Sequence, residues 1–240
     1  ATICPSYRAT KDEKDSTRGR ANVLREVLTH NDSKNPFDNP QIKQVMDLCI
    51  SCKACASECP SSVDMASYKA EFLYQYQKKH RPRLRDRVFA FNGKLSKMLN
   101  PIRGIQNGVF QIPLLGSLVK KTLGIASSRS LPKLFAPLDR QLINEQQQQS
   151  NRQVYLYLDE FTNYLDVQTG RDAFEILKRL GYYVHILPST ESGRAYISKG
   201  FLEQAKACAN QNVALYKDHI NSEIPLLGIE PSALYTFKDE

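Results

Sequence analysis

Cys49-Ile50-Ser51-Cys52-Lys53-Ala54-Cys55-Ala56-Ser57-Glu58-Cys59-Pro60 is the stretch from which the rest of the chain is read. Its pattern is C-x2-C-x2-C-x3-C-P, the spacing that holds cubane iron–sulfur clusters. Two-residue gaps let three thiolates from one tight turn reach three iron corners of the same cube, with the intervening N–H groups free to face its sulfides. Three residues and a proline carry the fourth Cys out of that reach, and in two-cluster proteins it ligates the other cluster. Zinc also takes four thiolates, but its sites pair two short Cys knuckles. Three evenly spaced Cys followed by Cys-Pro do not suit one tetrahedral ion.

Working outward, Cys4-Pro5-Ser6 repeats the tripeptide Cys59-Pro60-Ser61. Cys4 reads as the last Cys of an earlier copy of the motif. The expected arrangement is one 4Fe-4S cluster on Cys4, Cys49, Cys52 and Cys55, with Cys59 closing a sister cluster. The other ligands of that sister are expected upstream, since the sequence starts at Ala1 rather than Met. The chain is therefore expected to be a piece of a longer protein.

Of the six Cys, only Cys208 lies outside this pattern. It sits at helical spacing with Leu202 and Ala205 and reads as a small core residue. Such usage is metal binding rather than a disulfide framework, and it predicts a reducing, cytoplasmic compartment. The 240 residues suffice for two small domains of ~100–150 residues each. No apolar run is long enough to span a bilayer.

The net charge of +8 is concentrated in one segment. From Lys78 to Lys133 there are thirteen Lys and Arg against Asp86 alone, a local +12 that leaves −4 for the remainder. Three uses of this segment are open. It is a connector with solvated cations, a docking surface for a flavoprotein domain or an anionic membrane, or a nucleic-acid surface. Nothing resembling a recognition motif or an aromatic platform accompanies the charge, so nucleic acid is not expected.

Tyr7 to Asp15 is polar and predicts a loop. Ser16-Thr17 caps a predicted helix from Arg18 to His30, with Ala21, Leu24, Val27 and Leu28 as its stripe. A short helix from Ile42 to Leu48 delivers Cys49. Ser61-Ser62 caps a third from Val63 to Lys79, whose stripe is Met65, Tyr68, Phe72, Leu73 and Tyr76. Arg18 and Arg20 are either cations placed near a cluster, raising its reduction potential, or solvated first-turn residues. Lys53 reads as solvated and available to a redox partner. Asn144 to Ser150 is a polar run, predicted to be an exposed linker. Beyond it, Val154 to Leu158 and Tyr183 to Leu187 read as strands, Arg171 to Leu180 and Phe201 to Lys217 as helices, and Ile224 to Ile229 as a further apolar stretch. That alternation predicts a small parallel α/β domain, with Asp159 to Tyr164 and Ser189 to Arg194 in strand-end loops where ligands bind. Glu191 reads as a loop carboxylate, and Arg194 as an anion contact or a structural salt bridge.

Cys4 to Thr10, Ser16 to Ala21, Cys49 to Cys59 and Val63 to Phe72 together resemble the C-terminal part of large FAD-linked oxidases. These are D-lactate dehydrogenase or glycolate-oxidase-like D-2-hydroxyacid dehydrogenases, fused to a 4Fe-4S dicluster ferredoxin module and a cysteine-rich CCG-type domain. Glu160 to Tyr164, Ser192 to Gly200 and Gly228 to Leu234 fit the same family, and segment 78–150 matches least. The resemblance implies an α+β chain: an all-α ferredoxin-like module at 1–80, a basic connector with a Gln-rich linker at 81–150, and a CCG-like α/β domain at 151–240. It implies electron relay from an upstream FAD domain of the same polypeptide to a quinone or carrier, in the cytoplasm or at the inner face of the membrane. The sequence departs from the family where CCG-type cysteines are expected, at Glu191, Ser192 and Ala233. Non-cubane clusters and dithiol chemistry are therefore not expected of the last domain. No acid–base pair or nucleophile constellation appears, so no catalytic site is expected within the chain itself. The alternative is a non-catalytic iron–sulfur or zinc module that binds a partner or nucleic acid.

Overall fold

The computed structural model describes residues 4–30 and 35–238. They fall into two units, one made of the residues up to Arg83 together with Tyr196–Leu202, the other of Leu84–Ala195 and the residues from Glu203 onward.

The first unit is built from five helices: α1 (Pro5–Thr10), α2 (Thr17–Thr29), α3 (Pro40–Asp47), α4 (Ala54–Glu58) and α5 (Met65–Gln77). The predicted loop from Tyr7 to Asp15 is instead α1 followed by a 3-10 turn at Glu13–Asp15. Pro5, with its φ preset for helix, occupies the first turn, and Lys11 closes it in the left-handed region, its N–H donating to the Tyr7 carbonyl. Ser16 caps α2 as expected, its hydroxyl accepting from the Gly19 N–H at 2.9 Å. The cap of α5 is Asp64 and not the serines before it, its carboxylate accepting from the N–H groups of Ala66 and Ser67. Leu24, Val27, Ile42, Val45, Met46, Met65, Phe72 and Leu73 form the core, against which Cys49 and Cys55 pack. Tyr68, expected on the inner stripe, is exposed.

The second unit opens with α6 (Leu84–Ala90), α7 (Asn92–Leu99), α8 (Arg103–Gln111), α9 (Pro113–Leu123) and α10 (Leu138–Leu142). Most of segment 81–150 is thus helical and clusters with the sheet that follows. That sheet has three parallel strands, β1 (Gln153–Tyr157), β2 (Tyr183–His185) and β3 (Leu226–Gly228), in the order β2-β1-β3. Val154 faces Val184 on one side of β1, and Leu156 faces Leu227 on the other. After β1 come α11 (Glu160–Tyr164) and α12 (Val167–Arg179). After β2 come α13 (Arg194–Ser198) and α14 (Leu202–Tyr216), and α15 (Pro231–Leu234) ends the series. The core is Leu138, Leu142, Val154, Leu156, Leu158, Phe174 and Val184. The chain as a whole is α+β.

Two sequence expectations change here. Asp159 to Tyr164 is not a loop but α11, capped by the Asp159 carboxylate. The polar run at 144–150 is not a free linker. The Gln147 side chain donates to the Val184 carbonyl and accepts from the Val184 N–H, both at 2.9 Å, occupying the outer edge of β2 as a neighbouring strand would. Glu145 pairs with Arg171 and Lys178 of α12.

Candidate metal centre

Three short elements set the thiols in place. Pro40 and the Asn39 cap start α3, and burial of Ile42, Val45 and Met46 fixes its face. Its last turn hands the chain to Cys49, whose N–H donates to the Met46 carbonyl at 3.1 Å. Between Cys49 and α4 the backbone enters the left-handed region at Ser51 (φ 54°) and again at Lys53 (φ 57°). Neither is glycine, so the turn holds backbone strain where the Cys are carried. Lys53 itself is half-buried rather than solvated. Cys4 caps α1 from the other side, and the Ser6 hydroxyl next to it donates to the Leu48 carbonyl, tying α1 to the end of α3.

The result is one cavity lined by Cys4, Cys49, Cys52 and Cys55 together. Thr17, Arg20, Ser51, Lys53 and Met65 share its wall, and Cys59 does not. A cubane needs sulfurs spread around a void, whereas zinc draws its sulfurs to about 2.3 Å from a single point. Among the described residues no three His, Cys, Asp or Glu side chains are grouped closely enough to hold a single metal ion. The donor set is all thiol, the soft ligand that iron–sulfur clusters take. In donor chemistry the residues present therefore fit a cluster.

Electrostatics separate the thiols. Burial raises Cys4, but hydrogen bonds from the Tyr7 backbone, the Arg20 guanidinium and the Ser6 backbone outweigh it and hold the thiol below its ordinary value. Burial pushes Cys55 up against a hydrogen bond from the Met65 backbone, and the neighbouring Cys49 and Cys52 add to the rise. Cys59 is held below its ordinary value by the backbone N–H groups of Val63 and Ser61. Ser62, at φ 48°, closes that turn, its N–H donating to the Cys59 carbonyl at 2.8 Å. Cys59 thus has an N–H cradle of its own, apart from the cavity.

Arg18 and Arg20 part company. Arg18 lies in water, paired with Glu13 at 2.9 Å. Arg20 is 1% exposed, with Nε donating to the Val45 carbonyl at 2.7 Å and Nη1 donating to Cys4 Sγ at 3.2 Å. Lys69 escaped the sequence reading. Its ammonium donates to the Cys49 carbonyl, and burial lowers its pKa. The signal was its place four residues after Met65 and four before Leu73, a cation set within an apolar helical stripe.

In the second unit the strand-end segments bond to one another. Ser192 donates to Glu160 through both its N–H (2.8 Å) and its hydroxyl (2.9 Å), and Tyr157 donates to the Thr190 carbonyl at 3.2 Å. Glu191 is half-buried against Gly93. Cys208 lies buried, and burial, then Glu191 and Glu160, push its thiol up to about 11, so no reactive thiolate stands here.

Residues 1–64 match a 4Fe-4S dicluster domain. Over nearly its whole length the chain is similar to D-2-hydroxyglutarate dehydrogenase of Haemophilus influenzae, 26% identical over 99% of this chain and 27% of the relative. It is similar to a subunit of the anaerobic glycerol-3-phosphate dehydrogenase of Escherichia coli, 27% identical over 67% of this chain and 42% of the relative. The glycolate oxidase iron–sulfur subunit of Escherichia coli is 33% identical over 25% of this chain and 14% of the relative. No solved structure matches the chain. The resemblance read from the motifs holds: the chain is similar to the iron–sulfur part of FAD-linked oxidase-like proteins, and its cofactor is of the 4Fe-4S type. The chain spans just over a quarter of the length of the D-2-hydroxyglutarate dehydrogenases it matches.

Proposed function

We propose that this chain is the electron-transfer portion of an FAD-dependent D-2-hydroxyacid dehydrogenase of the D-lactate or glycolate type, relaying electrons from a flavin to a quinone or carrier. The observation that supports it is the single cavity lined by Cys4, Cys49, Cys52 and Cys55, with Cys59 left outside it. Cys4, Cys49, Cys52 and Cys55 hold one 4Fe-4S cluster, and Cys59 belongs to a sister cluster. Bound in the cavity, such a group supplies reversible one-electron transfer. The residues do the rest: Arg20 and the α1 backbone favour the Cys4 thiolate, the strained turn at Ser51 and Lys53 sets Cys49, Cys52 and Cys55 along one wall, and the apolar core behind Cys49 and Cys55 keeps water from that side.

The partners that follow are the FAD domain of the same polypeptide and the quinone or carrier acceptor. Segment 78–133 is the surface for such contacts. Its basic helices expose Met98 (74%), Leu114 (79%) and Leu118 (60%), apolar area that a solvated connector has no reason to carry. No helix among the described residues is long and apolar enough to cross a membrane. Contact at its inner face would use this basic surface from the cytoplasm.

The test is iron, sulfide and zinc content of the anaerobically purified chain, with EPR before and after dithionite. Four irons and a reduced cubane signal are expected, lost in Cys4→Ala and retained in Cys59→Ala. Stoichiometric zinc without a signal would leave a zinc-stabilised interaction module in place of an electron relay.

A further inference from the structure

The cavity has a charge built into its wall. Arg20 is among the largest fully buried side chains in the described chain, at 1% exposure. A guanidinium taken out of water costs several kcal/mol unless its charge is answered. Its answer here is incomplete. Nε has the Val45 carbonyl and Nη1 has Cys4 Sγ, but Nη2 is buried with no hydrogen-bond partner. The nearest carboxylate, Asp15, is itself 1% exposed and lies 4.0 Å from Nη2, and its Oδ1 is likewise unpartnered. The Cys4 thiol donates to the Asp15 carbonyl at 3.3 Å, so Cys4, Asp15 and Arg20 form one knot at the wall. An ion pair at 4.0 Å with both ends unsatisfied is a poor structural device. The same cation is well placed to neutralise an anion held on Cys4.

We infer that Arg20 is a tuning residue: its buried guanidinium, bonded to the Cys4 sulfur, sets the reduction potential of the cluster held by Cys4, Cys49, Cys52 and Cys55, with Asp15 as the counterweight. The inference rests on the cluster assignment above. One-electron reduction adds a negative charge to the group on Cys4. A fixed cation bonded to one of its sulfurs stabilises the reduced form more than the oxidised form, and so raises the potential. Burial makes the effect large, since little water screens it. Asp15 acts with the opposite sign. Lys53 shares the cavity wall and Lys69 bonds the Cys49 carbonyl, whereas Arg20 bonds a proposed ligand sulfur itself.

The experiment is an EPR-monitored redox titration of the anaerobically reconstituted chain, with iron content measured for every variant. Arg20→Met is expected to disfavour the reduced form about tenfold, a fall of ~59 mV for a one-electron couple. Arg20→Lys, which keeps the charge but not the fork of donors, is expected to fall less. Asp15→Asn is expected to raise the potential, a sign that general loosening of the site would not produce. If Arg20→Met fails to hold iron, Arg20→Lys and Asp15→Asn decide the matter through their opposite shifts. Loaded variants that all titrate with the wild type would overturn the inference and leave Arg20 a structural residue. A wild-type chain that binds no iron, or a Cys4→Ala variant that keeps the signal, would overturn the cluster assignment itself.

Discussion

Glu160 is a carboxyl group that the fold holds almost without water. Burial raises its pKa from 4.5 to about 7, against the lowering effect of the hydrogen bonds from the Ser192 N–H and hydroxyl. The sign of the linkage follows from the raised value. Between pH 4.5 and 7 the folded chain binds a proton that the unfolded chain has released, so stability falls as pH rises through that window. Wild-type protein is expected to be less stable at pH 8 than at pH 5 by on the order of 3 kcal/mol from this group. Glu160→Gln keeps an acceptor for the Ser192 N–H and cannot ionise. It is expected to flatten that dependence and to be the more stable protein at pH 8. Hydrogen exchange of the β1 amides at the two pH values measures this directly. An equally steep loss in the glutamine variant would assign the dependence to another group. Arg20 shows the same limit on sequence reading at this scale. Its spacing from Cys4 suggested proximity, but its burial and its orphaned Nη2 come from three separate elements meeting around it.

At the scale of single elements, α2 shows how closely the cluster site depends on packing. A Cβ at Gly19 would lie 2.1 Å from the Glu13 carbonyl oxygen, a backbone atom that cannot swing aside. Only glycine lets the first turn of α2 lie against the 3-10 turn that carries Asp15. Gly19→Ala is expected to cost about 1–3 kcal/mol through overpacking, and to reduce iron retention by displacing Asp15 and Arg20 together. Thermal unfolding and bound iron, read in parallel, check both halves. In the second unit, Gln147→Ala strips the Val184 N–H and carbonyl of their partners and is expected to cost about 1–3 kcal/mol, seen as faster exchange at Val184. Unchanged exchange there would mean that water replaces the amide at no cost. These elements also show what was legible. The α2 cap, the Cys49 turn and the alternation of strands with helices are local patterns, and the structure follows them within a few residues; of the α2 stripe Leu24 and Val27 are buried, whereas Leu28 is exposed. The helix at Pro5–Thr10 carries no apolar period, and its formation rests on Pro5, the Lys11 turn and the Ser6 tie to α3. The Gln147 bracket was invisible because a polar run reveals its partner only once the sheet edge exists.

For the molecule as a whole, the two units differ in what holds them. The first has a core of eight buried side chains, and Cys49 and Cys55 pack directly on that core from the cavity side. The cavity wall also comprises a buried guanidinium and two non-glycine residues in the left-handed region, each of which costs stability. Ligand thiolates supply free energy to such a fold only when the group they bind is present, so its removal is felt as unfolding. The second unit has its own apolar cluster running from Leu138 through β1 to Phe174 and Val184, and its one Cys, Cys208, lies buried away from the cavity lining. Stripping iron from the loaded chain with a chelator and a mild oxidant is therefore expected to erase hydrogen-exchange protection in α2, α3 and α5 while β1 and α12 keep theirs. Simultaneous loss in both sets at the same rate would show that the sheet unit draws its stability from the cluster site as well. Protection in α2 and α3 that survives complete iron loss would show instead that the thiols are held in place by the protein alone. The site would then be preorganised, and the strain at Ser51 and Lys53 would be offset by packing rather than by metal binding.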